Sequence, residues 1–204
     1  MPKLSYKERA RQRREQEILK TAARMIRDNG YVNLNMDELA EAVGISKPTL
    51  YQHFRGKDDM VAKAMLHSMQ QIESFLDDMT DDNALDRLEK LMRYMLWQHT
   101  DPNGFSAAIM RDGINGLKHL TDTPDIMQAT QMRVSQQIMH LVQQAKTDGA
   151  ILPDIPNVVV IGMMFSSLSI LQGPAIMRDH SDDVEDLINH TVAMFRRGVA
   201  CVPS

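Results

Sequence analysis

Apolar side chains recur along most of this chain at three- and four-residue intervals, the spacing that lines up one face of an α-helix. Ile18, Leu19, Ala22, Met25 and Ile26 form the first such stripe; with glutamates at its start and Gly30 as a stop, they predict a helix from about Glu15 to Asn29. Two short helices follow between Met36 and Phe54. A longer one runs from Lys57 to about Met79, where Met60, Val61, Ala64, Met65, Met69, Ile72 and Leu76 continue without a break. The pattern then predicts helices over about Ala84–His99, Phe105–Leu117, a long stretch ending at Gly149, Ile155–Ile176 and Asp182–Ala200. Alternating strand patterns are nearly absent, so the expectation is an all-α protein of about nine helices.

The two short helices carry the most specific pattern. Ala40 is small enough to let a second helix approach, Gly44 can adopt the positive φ of a sharp turn, and Ile45 and Leu50 supply contacts underneath. Leu39, Val43 and Phe54 are expected in the same core. Asn35 can cap the first of these helices with Glu38 answering it in a capping box, and Ser46 can cap the second, with Pro48 in its first turn. Lys47, Thr49, Tyr51, Gln52, His53, Arg55 and Lys57 are left on the outside, with no acid between Ser46 and Lys57 in sequence. Such a face suits a polyanion.

Charge strengthens this picture only when divided along the chain. The net charge is −4, yet residues 1–14 carry six basic residues against Glu8 and stand at +5, whereas residues 61–204 stand at −7. Arg9, Arg11, Arg13 and Arg14 are therefore read as a basic arm on an acidic body, one end of which can meet phosphate. One cysteine, Cys201, excludes an intrachain disulfide, and no stretch is apolar for long enough to span a bilayer. The expected setting is cytoplasmic, without membrane attachment. Seven histidines never fall at metal-ligand spacing, and there is no phosphate-binding glycine loop, H-E-x-x-H or G-x-S-x-G. No enzyme, metal or cofactor is expected.

The stretch Ile155–Ile176 is apolar on nearly every side, which calls for cover on every side. A second copy of the chain can supply it, with Ile161, Phe165, Leu168, Leu187, Val192 and Phe195 expected at a homodimer interface built from the last two helices of each subunit. A single central core helix would meet the same demand.

Taken together, Asn29-Gly30-Tyr31, Met36-Asp37-Glu38-Leu39-Ala40, Gly44-Ile45-Ser46, Thr49-Leu50-Tyr51-Gln52-His53-Phe54 and Lys57-Asp58-Asp59-Met60 resemble the TetR family of transcriptional repressors over about Glu15–Met65. The resemblance implies an N-terminal three-helix DNA-binding domain (residues 15–60, after the arm at 1–14), joined by a long helix to a helical effector-binding and dimerisation domain (61–204). It further implies a regulator bound to palindromic double-stranded DNA and released by a small molecule. Tyr51, His53 and Lys57 are expected on phosphates, and Lys47, Pro48 and Thr49 against base edges. The family often has a hydroxyl residue where this chain has Asn35 and Met36, so Asn35 and the neighbouring amides are expected to serve the phosphate there.

A largely apolar effector is expected from the thirteen methionines beyond residue 60, since Met adapts to irregular apolar partners. Trp97, His99, Phe105, Met110 and Met164 are the candidate pocket residues. The alternative is a DNA-binding protein of the same fold controlled by a protein partner.

Overall fold

In the computed structural model, the described residues are 5–80, 83–101, 104, 105, 108, 125–172 and 183–201. Among them are eight α-helices: α1 (Tyr6–Asn29), α2 (Met36–Val43), α3 (Lys47–His53), α4 (Lys57–Asp78), α5 (Ala84–Thr100), α6 (Asp125–Thr147), α7 (Asn157–Ser166) and α8 (Val184–Val199). A 3₁₀ segment, Ser167–Gln172, follows α7. The only β pairing among the described residues is an isolated bridge between Ile151 and Ala200. The fold is all-α, as the periodicity requires.

Two compact units divide the chain, one drawn from Met1–Ser68 and Asp101–Pro124, the other from Met69–Thr100 and Asp125–Ser204. The first has a core of Ile18, Ala22, Ile26, Leu39, Ala40, Leu50, Phe54, Met60 and Val61, joined by Phe105 and Ala108. Each large side chain removed from water there contributes roughly 1.5–3 kcal/mol, which is what holds helices as short as α2 and α3 in place. In the second unit α5 is central. The predicted inward set Leu85, Leu88, Leu91, Met92, Met95 and Leu96 is buried, together with Ile138 and Val142 of α6 and Ile188 of α8. The uninterrupted α4 contributes residues to both units.

Several boundaries differ from expectation. Residues 6–14 are the first turns of α1 and not an irregular arm: Ser5 and Glu8 form a capping box, and Arg11–Glu15 and Arg14–Glu17 pair along the helix at 3.1 and 3.0 Å. These contacts offset the absence of any core beneath a segment that is exposed throughout. Asn35 caps α2 through the Asp37 amide at 2.8 Å, with no bond to Glu38. The helix expected over Ile155–Ile176 begins at Asn157 and tightens to 3₁₀ at Ser167, while that expected over Phe105–Leu117 lies mostly outside the described residues.

The all-round burial expected for this stretch is not found within one chain. Val160 and Met164 face the core, whereas Val158 is 73% exposed and Val159, Met163 and Phe165 are also open. Leu168, Val192 and Phe195, read as interface residues, lie in the second unit's own core. The reason is simple: periodicity finds an apolar position without saying which neighbour covers it. Ile161 and Leu187 are partly buried.

Candidate nucleic-acid interface

The recognition element is set by its turns. Gly44 ends α2 at φ 75° and ψ 35°, and its N–H reaches the carbonyls of Ala40 and Glu41. The Ile45 amide also donates to Ala40 at 3.0 Å, which turns the chain sharply toward Ser46. Ser46 Oγ accepts from the Thr49 amide at 3.2 Å and lies 2.8 Å from the Thr49 hydroxyl. Leu50 and Phe54 are buried on one side of α3, so Lys47, Pro48, Tyr51 and Gln52 are left exposed on the other.

Asn35, Tyr51 and Lys57 line one shallow hollow with Val32, Asn33, Leu34, Met36 and the acid Asp37, at the N-terminus of α2. Unpaired amides and the positive end of the helix dipole make such a place favourable to an anion. Lys57 Nζ donates to the Val32 carbonyl at 3.0 Å and lies 5.3 Å from the centre of the Tyr31 ring, which holds its charge at the rim. Tyr31 itself donates to Asp58 at 2.8 Å, and burial followed by that carboxylate pushes its phenol well above the ordinary range. Among the described residues the Tyr51 hydroxyl has no hydrogen-bond partner, leaving it available to a ligand.

His53 is placed differently. Its ring is mostly buried and Nδ1 lies 3.3 Å from Glu15 Oε1, the same oxygen that Arg11 approaches at 3.1 Å. Arg11 also donates to the Gln52 carbonyl at 3.3 Å, and Lys63 to that of His53 at 2.5 Å. The end of α3 is thus tied to α1 and α4. Lys47, expected against base edges, makes a 2.5 Å contact with Asp37, whose hydrogen bond raises the lysine pKa. The recognition face that is acid-free along the sequence therefore has an acid beside it in space. Glu15, Asp37 and Lys63 were not among the sequence candidates, because the residues of α1–α3 that they meet here lie 38, 10 and 10 positions away. Within the basic segment, the Arg9 and Arg13 side chains have no ion pair or hydrogen bond among the described residues and lie on the exposed start of α1.

The pocket candidates fall in both units. Phe105 belongs to the first core and Met164 to the second; Trp97 is nearly half exposed, and His99 Nδ1 sits 2.7 Å from the Met95 carbonyl. Met110 lies outside the described residues. A hollow in the second unit is lined by Leu76, Met79, Arg87, Gln137 and Leu141, among others.

An all-helical chain with a capped helix-turn-helix and a cationic, hydroxyl-bearing outer face defines the class of DNA-binding regulators. Residues 18–64 match the family model described as bacterial regulatory proteins, tetR family. Over this segment the chain is similar to the DNA-binding part of TetR-family regulators. It is 25% identical over 146 residues to the transcriptional repressor KstR2 of Mycolicibacterium smegmatis, covering 70% of this chain and 69% of that protein. Over 47 residues it is 45% identical to the transcriptional activator FasR of the same organism, a match of 23% of this chain and only 22% of FasR. The structure of apo AibR superposes with a TM-score of 0.67 at 26% identity, covering 88% of this chain and 97% of AibR; AibR with isovaleryl coenzyme A and operator DNA gives 0.67 at 24%, covering 89% and 97%. The relatives are regulators and not enzymes. Among the described residues no helix is long and apolar enough to cross a membrane, and no cluster of metal-binding side chains occurs.

Proposed function

We propose that this DNA-binding regulator is a homodimeric repressor of a palindromic operator, released by a small molecule held in its second unit. The observation that carries the reading is the hollow at the start of α2, where Asn35, Tyr51 and Lys57 converge beside exposed Lys47 and Pro48. Phosphate contacts at the hollow would fix the register, and the first turn of α3 would read base edges. A hollow within the second unit favours a small effector over a protein partner. The exposed apolar face of Val158, Val159, Met163 and Phe165, with Met194 of α8, supports association of two copies through this region. KstR2 is a repressor and FasR an activator, so the sign of regulation is part of the proposal. An effector would act through α4, the helix common to both units, by changing the separation of two recognition helices from the roughly 34 Å of one DNA turn.

Selection of bound sequences from random double-stranded DNA tests the central claim. A palindrome with half-sites about one turn apart is expected, and failure to enrich any palindrome would overturn it. On the selected site, Tyr51→Phe should weaken binding alike across base variants, whereas Thr49→Ala should change the order of preference.

A further inference from the structure

The second unit contains a hollow of about 440 Å³ between the end of α4, the start of α5 and the middle of α6. That is the scale of a small-molecule site. Leu76, Met79 and Leu141 give it an apolar side, and Asp77, Thr80, Arg87, Gln137 and His140 a polar one. Two atoms of the polar side are shut off from solvent without any hydrogen-bond partner: Nε of Arg87 and Oε1 of Gln137. Unmet buried donors and acceptors are uncommon in folded proteins. The orientation of the Gln137 amide is fixed by Asp77, whose Oδ1 accepts from Nε2 at 2.7 Å; turning the amide would set oxygen against oxygen. The orphan acceptor therefore follows from a bond that is made. Nearby arginines are satisfied, Arg133 by Glu73, Arg196 by Asp86 and Glu89, and Arg93 by Asn189, whereas Nε of Arg87 is both buried and unmet.

We infer that this hollow binds a small uncharged amphiphile whose head carries a hydrogen-bond acceptor beside a donor, as a carboxamide does, on an alkyl body. The acceptor answers Arg87 and the donor answers Gln137, each after a small turn of the side chain toward the hollow, while the alkyl chain lies on Leu76, Met79 and Leu141. Charge selects the neutral head. An ionised carboxylate would gain Arg87 but meet the carboxylate of Asp77, and an ammonium would gain Asp77 but meet Arg87; a dipole with the correct sense satisfies both ends. The inference rests on the reading of the second unit as the effector-sensing part, and makes that effector amphipathic where the methionine content alone suggests an apolar one.

Calorimetric titration of the full chain without DNA, using heptanamide, heptanoate and heptylamine as probes, tests it. Heptanamide should bind saturably and about tenfold or more tightly than either charged analogue. Arg87→Met and Gln137→Met should each weaken heptanamide binding about tenfold, the scale of one good hydrogen bond, while the unliganded melting temperature holds or rises because an unmet polar atom has gone. Absence of saturable binding, tighter binding of a charged analogue, or variants that bind heptanamide as the parent does would each overturn the assignment. Release of labelled operator is read separately by fluorescence anisotropy. Heptanamide bound at these residues with DNA still held would support the pocket and defeat only the effector reading.

Discussion

Replacing Gly44 by alanine separates backbone strain from packing. At φ 75° and ψ 35° Gly44 occupies the left-handed region, and a Cβ built on it meets no atom within 4 Å. Crowding therefore contributes nothing, and the cost is that of holding an L-residue in this conformation, about 1–2 kcal/mol. Alanine also leaves the unfolded chain fewer conformations than glycine, which returns about 0.4–1 kcal/mol. A net destabilisation of about 1 kcal/mol is expected. Gly56 supplies the control: it too has nothing within 4 Å, but its φ is outside the left-handed region, so Gly56→Ala should be close to neutral, the poorer fit of alanine at the start of α4 offsetting the entropy it removes from the unfolded chain.

Thermal unfolding followed by circular dichroism distinguishes the two. Gly44→Ala should lower the melting temperature by about 2–4 °C if the whole chain unfolds together, and by about 4–8 °C if the first unit unfolds alone. Gly44→Asn should recover much of the loss, because asparagine tolerates this region better than alanine. Equal shifts for Gly44→Ala and Gly56→Ala would refute the claim that the turn needs glycine for its dihedral angles.

Arg9→Ala and Arg13→Ala should each reduce the slope of log affinity against log salt by about 1 in anisotropy titrations, whereas Arg14, already paired with Glu17, should count for less. Val158→Asp and Met194→Asp should yield a folded monomer by light scattering. Phe195→Ala, at a position buried in the chain's own core, should instead cost about 3–5 kcal/mol of stability in denaturant unfolding. The bidentate contact from Arg133 lowers the pKa of Glu73 below its usual 4.5. A folded-state pKa that is depressed adds stability above the unfolded value and loses it as pH falls through the folded one. The parent should thus exceed Glu73→Gln in stability at neutral pH, and the gap should close in acid.

Much of the fold is legible because helical burial repeats. The inward residues of α5 follow from spacing alone, and the turn between α2 and α3 follows from the chemistry of Ala40, Gly44 and Ser46. The start of α1 was also written in the chain, since Ser5 and Glu8 stand at capping-box spacing and Glu15 and Glu17 lie one turn from Arg11 and Arg14. Reading those residues as a charge total hid their order. Around α7 the difficulty is physical: when every position is apolar, the pattern carries no direction, and only tertiary placement separates buried Val160 and Met164 from open Val158 and Phe165. In the candidate site, the sequence marks the outward residues of α3, but their partners depend on where other helices bring acids.

Those acids bear on how the face can act. Asp37 holds Lys47, and Glu15 meets both Arg11 and His53. The Lys47 pair is half exposed on both sides and therefore weak, so a phosphate or a guanine edge can displace it at little cost. In the proposed complex the displaced Asp37 carboxylate, itself part of the lining of the hollow with Asn35, Tyr51 and Lys57, would stay beside the DNA and repel a poorly seated phosphate. The Glu15–His53 pair lies between less exposed groups, where screening is weaker, and acts on the frame of α3 as much as on its charge. A basic face with fixed acids at its edge gives up some general attraction for DNA. What it gains is a larger difference between a well-seated site and a poorly seated one, which is the quantity that sets specificity among competing sequences.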